Sequence, residues 1–114
     1  MNLIKGDIVL VRFPFTDLSQ TKLRPAVVLW ASSASQDVTL CFISSQNVDQ
    51  TEEGEFILDP ADSEFSQNGL KVASKARVTR IATLERQLLQ RRLGKLGTSQ
   101  MQQLNTALIQ VFQL

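Results

Sequence analysis

An arginine followed by a proline ends a polar segment between two apolar runs in "FPFTDLSQTKLRPAVVL", residues 13–29. Proline fixes its own backbone and favours extended geometry in the residue before it, so Arg24 should lie in extended geometry at the edge of a strand that Pro25 opens. A guanidinium is planar, permanently charged and suited to binding phosphate through two hydrogen bonds. Arg24 is therefore a candidate phosphate-binding residue.

Two hydroxyl groups follow another apolar run, in "VTLCFISSQ". If the runs pair as an antiparallel hairpin, its open end brings Arg24 near Ser44 and Ser45, and the three side chains share one pocket. Two plainer interpretations stay open. Arg24 could pair with Asp17 in its own loop, and the serines could simply cap the strand end.

The sequence has no histidine and a single cysteine, Cys41. The lack of histidine excludes Ser-His and Cys-His nucleophile pairs and removes the commonest metal ligand, although carboxylate-only metal sites stay open. One cysteine excludes a disulfide framework, and Cys41 lies in an apolar run where a buried structural thiol is expected. An enzyme of this composition must use Arg, Lys, Asp, Glu, Ser or Thr.

The length of 114 residues predicts one domain, residues 1–114, that can bury a core without disulfides. No apolar run is long enough to span a membrane, and "MNLIKGD" lacks the parts of a signal peptide. A cytoplasmic protein is expected.

Charge is distributed unevenly along the chain. Residues 46–64 contain seven acids and no base, whereas residues 65–95 contain eight bases and one acid. The basic segment could attract a phosphate chain, or the two segments could pair with each other or face water. Because the acidic stretch would repel RNA, it is expected to lie away from an RNA groove or to form a flap.

Apolar patterning predicts mainly β-structure followed by a helix. Strands are predicted at 7–13, 25–31, 38–44 and 55–59, with two further short strands within 70–83. Leu84, Leu88 and Leu89 have helical spacing, and residues 98–112 form an amphipathic helix with Ser99 and Gln102 as a capping box. This order predicts a small antiparallel barrel or sheet with helices on one side.

The stretch "GDIVLVRFPFTDLSQTKLRPAVVL" closely resembles the N-terminal signature of the MazF/PemK toxins of type II toxin–antitoxin pairs. "CFISSQ" is similar to the family's strand that ends in Thr or Ser, and the likeness is weaker in "VTRIATLERQLLQRRLGKL". The resemblance implies an SH3-like β-barrel with a C-terminal helix, usually a homodimer. It also implies an endoribonuclease that needs no metal or cofactor and cuts single-stranded RNA, often at short motifs. The implied partner is a small antitoxin that occupies the RNA groove, and DNA contact would come only through the antitoxin complex.

By this resemblance the family's essential arginine falls on Arg24 and its hydroxyl residue on Ser44. Gln20 stands where a glycine is common. Cleavage would proceed by attack of the ribose 2′-hydroxyl on the adjacent phosphate, with Arg24 stabilising the charge that grows on the phosphate oxygens. Ser44 would donate to a non-bridging oxygen or hold the phosphate in line. The proton acceptor stays open, and Asp17 is one candidate.

Further RNA contacts are predicted from basic, hydroxyl and aromatic side chains. The basic and hydroxyl candidates are Lys22, Ser45, Arg77 and Arg80, and a stacking face could come from Phe13, Phe15 or Trp30. Two other functions stay open. One is a non-enzymatic poison that binds DNA gyrase, as CcdB-like relatives do, and the other is an inactive dimer that only binds a partner.

Overall fold

The computed structural model describes residues 1–13 and 22–114, which contain six β-strands and one α-helix. The strands are β1 (Asp7–Phe13), β2 (Lys22–Ala31), β3 (Asp37–Ser44), β4 (Glu55–Leu58), β5 (Ser74–Glu85) and β6 (Leu89–Lys95). The helix is α1 (Thr98–Phe112), and short 3₁₀ turns lie at Phe65–Gln67 and Arg86–Leu88. The first four predicted strands and the closing helix are confirmed, with boundaries that differ by up to three residues.

The six strands form one sheet in the order β4-β5-β3-β2-β1-β6, with antiparallel neighbours. β5 and β6 are far apart in this order, yet only the turn Arg86–Leu88 joins them. The sheet must therefore curl until its two sides approach each other. This confirms the predicted small antiparallel barrel with a C-terminal helix.

Alternating side chains of the curled sheet build two hydrophobic cores. One core fills the inside of the curl and includes Val9, Val28 and Leu40. The other lies between the sheet and α1, where Val27 and Cys41 pack in the same cluster as Leu104. Burial raises the pKa of the Cys41 thiol to about 12, as expected for a structural cysteine. No helix in residues 1–13 and 22–114 is long and apolar enough to cross a membrane.

A carboxylate from a distant segment helps to hold the start of α1. Gly97 is the N-cap, and its N–H donates to Gln100 Oε1 at 3.0 Å, so the predicted Ser99–Gln102 capping box is wrong by two residues. Glu64 accepts from the Ser99 hydroxyl at 2.7 Å and from the Ser99 and Gln100 N–H groups at 3.1 and 3.2 Å. A negative charge at a helix N-terminus is stabilised by the free N–H groups there.

The prediction of two short strands within 70–83 is wrong, because one strand, β5, runs through this region. Its pairing with β3 shifts between Cys41 and Phe42, whose partners are Ile81 and Arg77. The bulge explains why Val78 and Ile81 do not alternate cleanly in the sequence. The first part of β5, from Ser74 to Arg77, also pairs with β4 along its other edge.

The helical interpretation of Leu84, Leu88 and Leu89 is also wrong. Residues 89–95 form β6, which pairs with β1 from Asp7–Lys95 to Val11–Leu89. Leucine, glutamine and arginine are good helix formers, but helix propensity is only a weak determinant of structure. The edge of β1 offers backbone hydrogen bonds that outweigh it. The tertiary partner therefore decides the conformation of this segment.

Candidate active site

The open ends of β2 and β3 bring Arg24 and Ser44 together. The last paired residues are Ala26 and Phe42, so Arg24 and Ser44 each lie two residues beyond that pair. Both side chains line one cavity of about 260 Å³. We call it the Arg24 cavity; its lining is Leu23, Arg24, Pro25, Ile43, Ser44, Ser45, Gln46, Leu70, Lys71, Val72 and Ser74.

The Arg24 cavity is strongly basic. Two bases, Arg24 and Lys71, line it, and no acid does among the residues that the structure describes. Arg24 is exposed and has no ion-pair partner in this part of the chain. A guanidinium in such a cavity suits a phosphate group, which it can bind through two hydrogen bonds.

The Ser44 hydroxyl both shapes the strand end and faces the cavity. Its Oγ accepts a hydrogen bond from the Gln46 N–H at 3.0 Å, which is the capping role expected of a serine here. Accepting this bond leaves the hydroxyl hydrogen available for donation. Ser44 can therefore cap its strand and also donate to a phosphate oxygen.

A second cavity, of about 230 Å³, is also lined by Ser44. We call it the Glu55 cavity; its lining is Ser44, Gln46, Asn47, Gln50, Thr51, Glu52, Glu55, Lys75 and Arg77. Ser44 and Gln46 line both cavities. The two spaces are therefore adjacent, and one extended ligand could occupy both.

A buried ion cluster forms one wall of the Glu55 cavity. The Glu55 carboxylate accepts from Lys75 Nζ at 2.9 Å through one oxygen and from Arg77 Nε at 2.8 Å through the other. Lys75 Nζ also donates to the Gln50 carbonyl oxygen at 2.9 Å. The side chains of Glu55 and Lys75 are only 3% and 8% exposed, whereas Arg77 is 30% exposed.

The surroundings of Glu55 keep it ionised. Burial raises the pKa of this carboxyl, but hydrogen bonds from the Glu52 N–H, Lys75 and Arg77, with the charge of Lys75, lower it to about 2. Glu55 therefore remains a fixed negative charge throughout the physiological range and holds its two basic partners in place.

Some of the other predicted site residues line one of the two cavities, and others do not. Ser45 lines the Arg24 cavity and Arg77 the Glu55 cavity. Lys22 and Arg80 are exposed on β2 and β5 but line neither cavity. Asp17 lies outside the described residues, so neither its pairing with Arg24 nor its role as proton acceptor is tested.

Of the three aromatic candidates, Trp30 is the one whose side chain the structure describes. Trp30 is 53% exposed on β2, and it lines neither cavity. Phe15 and the side chain of Phe13 lie outside the described residues. Within residues 1–13 and 22–114, no group of three or more acidic or cysteine side chains is placed to hold a metal ion.

The acidic stretch 46–64 lies beside the candidate site and not away from it, whereas the alternative that it forms a flap stays a prediction. It supplies six of the nine residues that line the Glu55 cavity. The negative charge of Glu55 can lie in the wall of this cavity because Lys75 and Arg77 neutralise it. The alternative that the acidic and basic segments pair with each other is confirmed at this cluster.

Sequence reasoning missed three residues of the site: Glu55, Lys75 and Lys71. The contacts of Glu55 depend on the pairing of β4 with β5, in which Glu55 lies opposite Arg77 and Ile57 opposite Lys75. A charged residue that opens a short apolar strand, as in "EFIL", was the one available signal. Nothing in the sequence marked Lys71 apart from the other bases.

Comparison with known proteins identifies the family to which this chain belongs. The family described as "PemK-like, MazF-like toxin of type II toxin-antitoxin system" matches residues 4–112. No curated protein matches the sequence.

Solved structures with the same fold include two endoribonucleases and a toxin. A mycobacterial endoribonuclease in complex with its cognate antitoxin is 18% identical, with a TM-score of 0.73 and coverage of 99% of this chain and 97% of the other. A second mycobacterial endoribonuclease is 21% identical, with a TM-score of 0.69 and coverage of 100% and 95%. The Mycobacterium tuberculosis toxin MazF-mt6 is 22% identical, with a TM-score of 0.72 and coverage of 95% and 97%.

Proposed function

Because the chain belongs to the PemK-like, MazF-like toxins of type II toxin–antitoxin systems, we propose that it is a metal-independent endoribonuclease that cleaves single-stranded RNA at selected sequences. The observation that carries the proposal is the Arg24 cavity. It combines an exposed guanidinium, a hydroxyl donor and a second base, and among the described residues no acid lines it or pairs with Arg24. Such a site suits a phosphate group whose negative charge increases during reaction.

The proposed reaction needs only groups of the chain and of the RNA. The ribose 2′-oxygen forms a bond to the adjacent phosphorus while the bond to the 5′-oxygen breaks, which leaves a 2′,3′-cyclic phosphate and a 5′-hydroxyl. Arg24 stabilises the charge on the phosphate oxygens, and Ser44 donates to a non-bridging oxygen and keeps the phosphate in line. The 2′-hydroxyl proton passes to an acceptor, for which Asp17 is proposed, and the leaving 5′-oxygen takes up a proton. Arg24 is not assigned as the base, because guanidinium stays protonated in proteins.

The proposed partners follow from the same site. A cognate antitoxin would block RNA by occupying the basic cavity, and one structure with this fold is an endoribonuclease in complex with its antitoxin. Any DNA contact would come through that complex. A homodimer is also proposed, because the chain belongs to this family, whose members are usually homodimers. The proposed location of the single-domain toxin is the cytoplasm.

Lys22 and Arg80 complete the proposed RNA path as outer contacts. Both are exposed bases on strands that contribute to the two cavities. Because they lie outside the cavities, their expected role is general attraction of the RNA backbone rather than chemistry.

The alternative functions make different use of Arg24. A gyrase poison or an inactive partner-binding dimer would need no guanidinium beside a hydroxyl in a basic cavity. The presence of both groups in one cavity favours the ribonuclease.

Controlled expression in bacteria tests the proposal. The ribonuclease predicts growth arrest, new RNA 5′ ends in the arrested cells, and loss of both in Arg24→Ala. Arg91→Ala, which removes an exposed base from β6, is the matched control and should still arrest growth. Arrest that survives Arg24→Ala and is relieved by a gyrase variant would instead identify a gyrase poison. No arrest from a folded protein free of antitoxin would favour the inactive dimer.

A further inference from the structure

The Glu55 cavity differs in charge from the Arg24 cavity. Two bases, Lys75 and Arg77, and two acids, Glu52 and Glu55, line it. The charges balance, so the cavity has no general preference for an anion such as phosphate. The rest of its polar lining consists of amides and hydroxyls, which can donate and accept hydrogen bonds.

Glu55 fixes the direction of the Arg77 side chain. Its carboxylate holds Arg77 by Nε, at 2.8 Å. The two Nη groups of Arg77 have no hydrogen-bond partner in the part of the chain that the structure describes, and the side chain is partly exposed and lines the cavity. Lys75 is different, because its Nζ already binds Glu55 and the Gln50 carbonyl. Lys75 keeps at most one N–H donor, on a side chain that is only 8% exposed, so Arg77 is the basic group with the most donors available for a ligand.

We propose that the Glu55 cavity binds a nucleobase next to the cleaved phosphate, with Arg77 as its specificity-determining residue and Glu55 as the positioning residue. The ligand assignment rests on the proposed ribonuclease function. Because both cavities share Ser44 and Gln46, a base in one cavity and the reacting phosphate in the other belong to neighbouring parts of one strand. The volume of about 230 Å³ is enough for a single base.

Guanine is the base that best matches the lining. Arginine donates well to the O6 and N7 atoms of guanine, which is the commonest specific contact between a side chain and a base. Guanine also carries N–H donors on its Watson–Crick edge, for which the Glu52 carboxylate is an acceptor. A cavity with a fixed guanidinium and a carboxylate therefore fits a base that presents both acceptors and donors.

Cleavage-site mapping on an RNA with a randomised segment tests the assignment. The wild type should favour guanine at one position beside the cut. Arg77→Ala should relax that preference by roughly 5- to 150-fold, the range for one good bidentate base contact, and leave other positions unchanged. Arg77→Lys, which keeps the charge and loses the planar fork, should relax it in part. Arg91→Ala, a matched loss of an exposed base, should retain it.

The same experiment separates specificity from stability. If Arg77→Ala slows cutting equally at all sites, or if the position beside the cut shows no guanine preference in the wild type, the base pocket is refuted. Glu55→Gln should relax the same position although Arg77 is retained, because the guanidinium is no longer held. Arg77→Ala leaves the Glu55–Lys75 pair intact, so the test does not depend on Glu55→Gln being folded.

Binding of RNA that cannot be cut keeps the test independent of catalysis. Hexamers of alternating uridine and guanosine, adenosine or cytidine with 2′-O-methyl groups are titrated against the same variants. The wild type should bind the guanosine hexamer most tightly, and Arg77→Ala should bind all three alike. A protein that cuts no RNA but shows this pattern would refute the ribonuclease and retain the pocket. Equal binding of all three by the wild type would refute the pocket even if RNA is cut.

Discussion

The two cavities beside Ser44 use arginine in opposite ways. In one cavity, Arg24 is exposed and has no ion-pair partner among the described residues. The other charged residue that lines this cavity there is a base, Lys71. In the other, Arg77 is held by Glu55, whose charge also neutralises Lys75. A guanidinium without a carboxylate partner attracts a phosphate most strongly. A guanidinium that a carboxylate holds attracts a phosphate less, but its side chain has a fixed orientation. The comparison separates a site suited to chemistry from a site suited to discrimination.

Removal of Glu55 should have the largest effect on folding. Glu55→Ala leaves Lys75 buried without its carboxylate, and breaking a buried ion pair in this way costs about 3–5 kcal/mol. Urea unfolding at neutral pH measures the loss. Glu53→Ala, an exposed acid of the same segment, is the control and should be close to the wild type. An unchanged unfolding midpoint in Glu55→Ala would show that the cluster contributes nothing to stability.

Acid should weaken the same cluster selectively. The pKa of Glu55 is about 2 in the folded chain and near 4.5 when unfolded, so its ionisation favours folding above pH 4.5. This contribution, about 3 kcal/mol, is lost as the pH falls from 4.5 through 2. The wild type should therefore lose more stability than Glu55→Gln over this range in urea titrations. Parallel pH profiles for the two proteins would contradict the assignment.

Loss of the Ser44 hydroxyl should slow cleavage less than loss of a whole cation. Ser44→Ala should reduce the rate about 10- to 100-fold, since a hydrogen bond to a charged group contributes about 1.5–3 kcal/mol. Ser44→Thr keeps the hydroxyl and should stay near the wild-type rate. Single-turnover cleavage measures both variants, and equal rates for Ser44→Ala and the wild type would remove Ser44 from the reaction.

The smallest effect is expected at the start of α1, outside the charge cluster. Glu64→Gln keeps the size of the side chain but loses the negative charge that the N–H groups of Ser99 and Gln100 contact. The thermal unfolding midpoint should fall by less than in Glu55→Ala, and cleavage should be unaffected. A larger fall than in Glu55→Ala would mean that the helix cap, and not the buried cluster, dominates stability.

The proximity of Arg24 and Ser44 could be predicted because it depends on one hairpin between neighbouring strands. The Glu55 cluster could not, since its contacts require the register of β4 on β5, which the bulge in β5 obscures. The helical prediction from Leu84, Leu88 and Leu89 is wrong for a related reason. These leucines have helical spacing, and only the edge of β1 makes a strand the better conformation from Leu89 onward.

The most direct test of the proposed function is cleavage of single-stranded RNA by purified protein in excess EDTA, with Arg24→Ala and Arg91→Ala side by side. We expect the wild type and Arg91→Ala to cut and to leave 2′,3′-cyclic phosphate and 5′-hydroxyl ends. Arg24→Ala should be roughly 100- to 1000-fold slower, the usual cost of losing one preorganised donor to a developing negative charge. Equal cutting by Arg24→Ala, or no cutting of a fully randomised RNA by the folded wild type, would contradict the assignment of the Arg24 cavity as the active site.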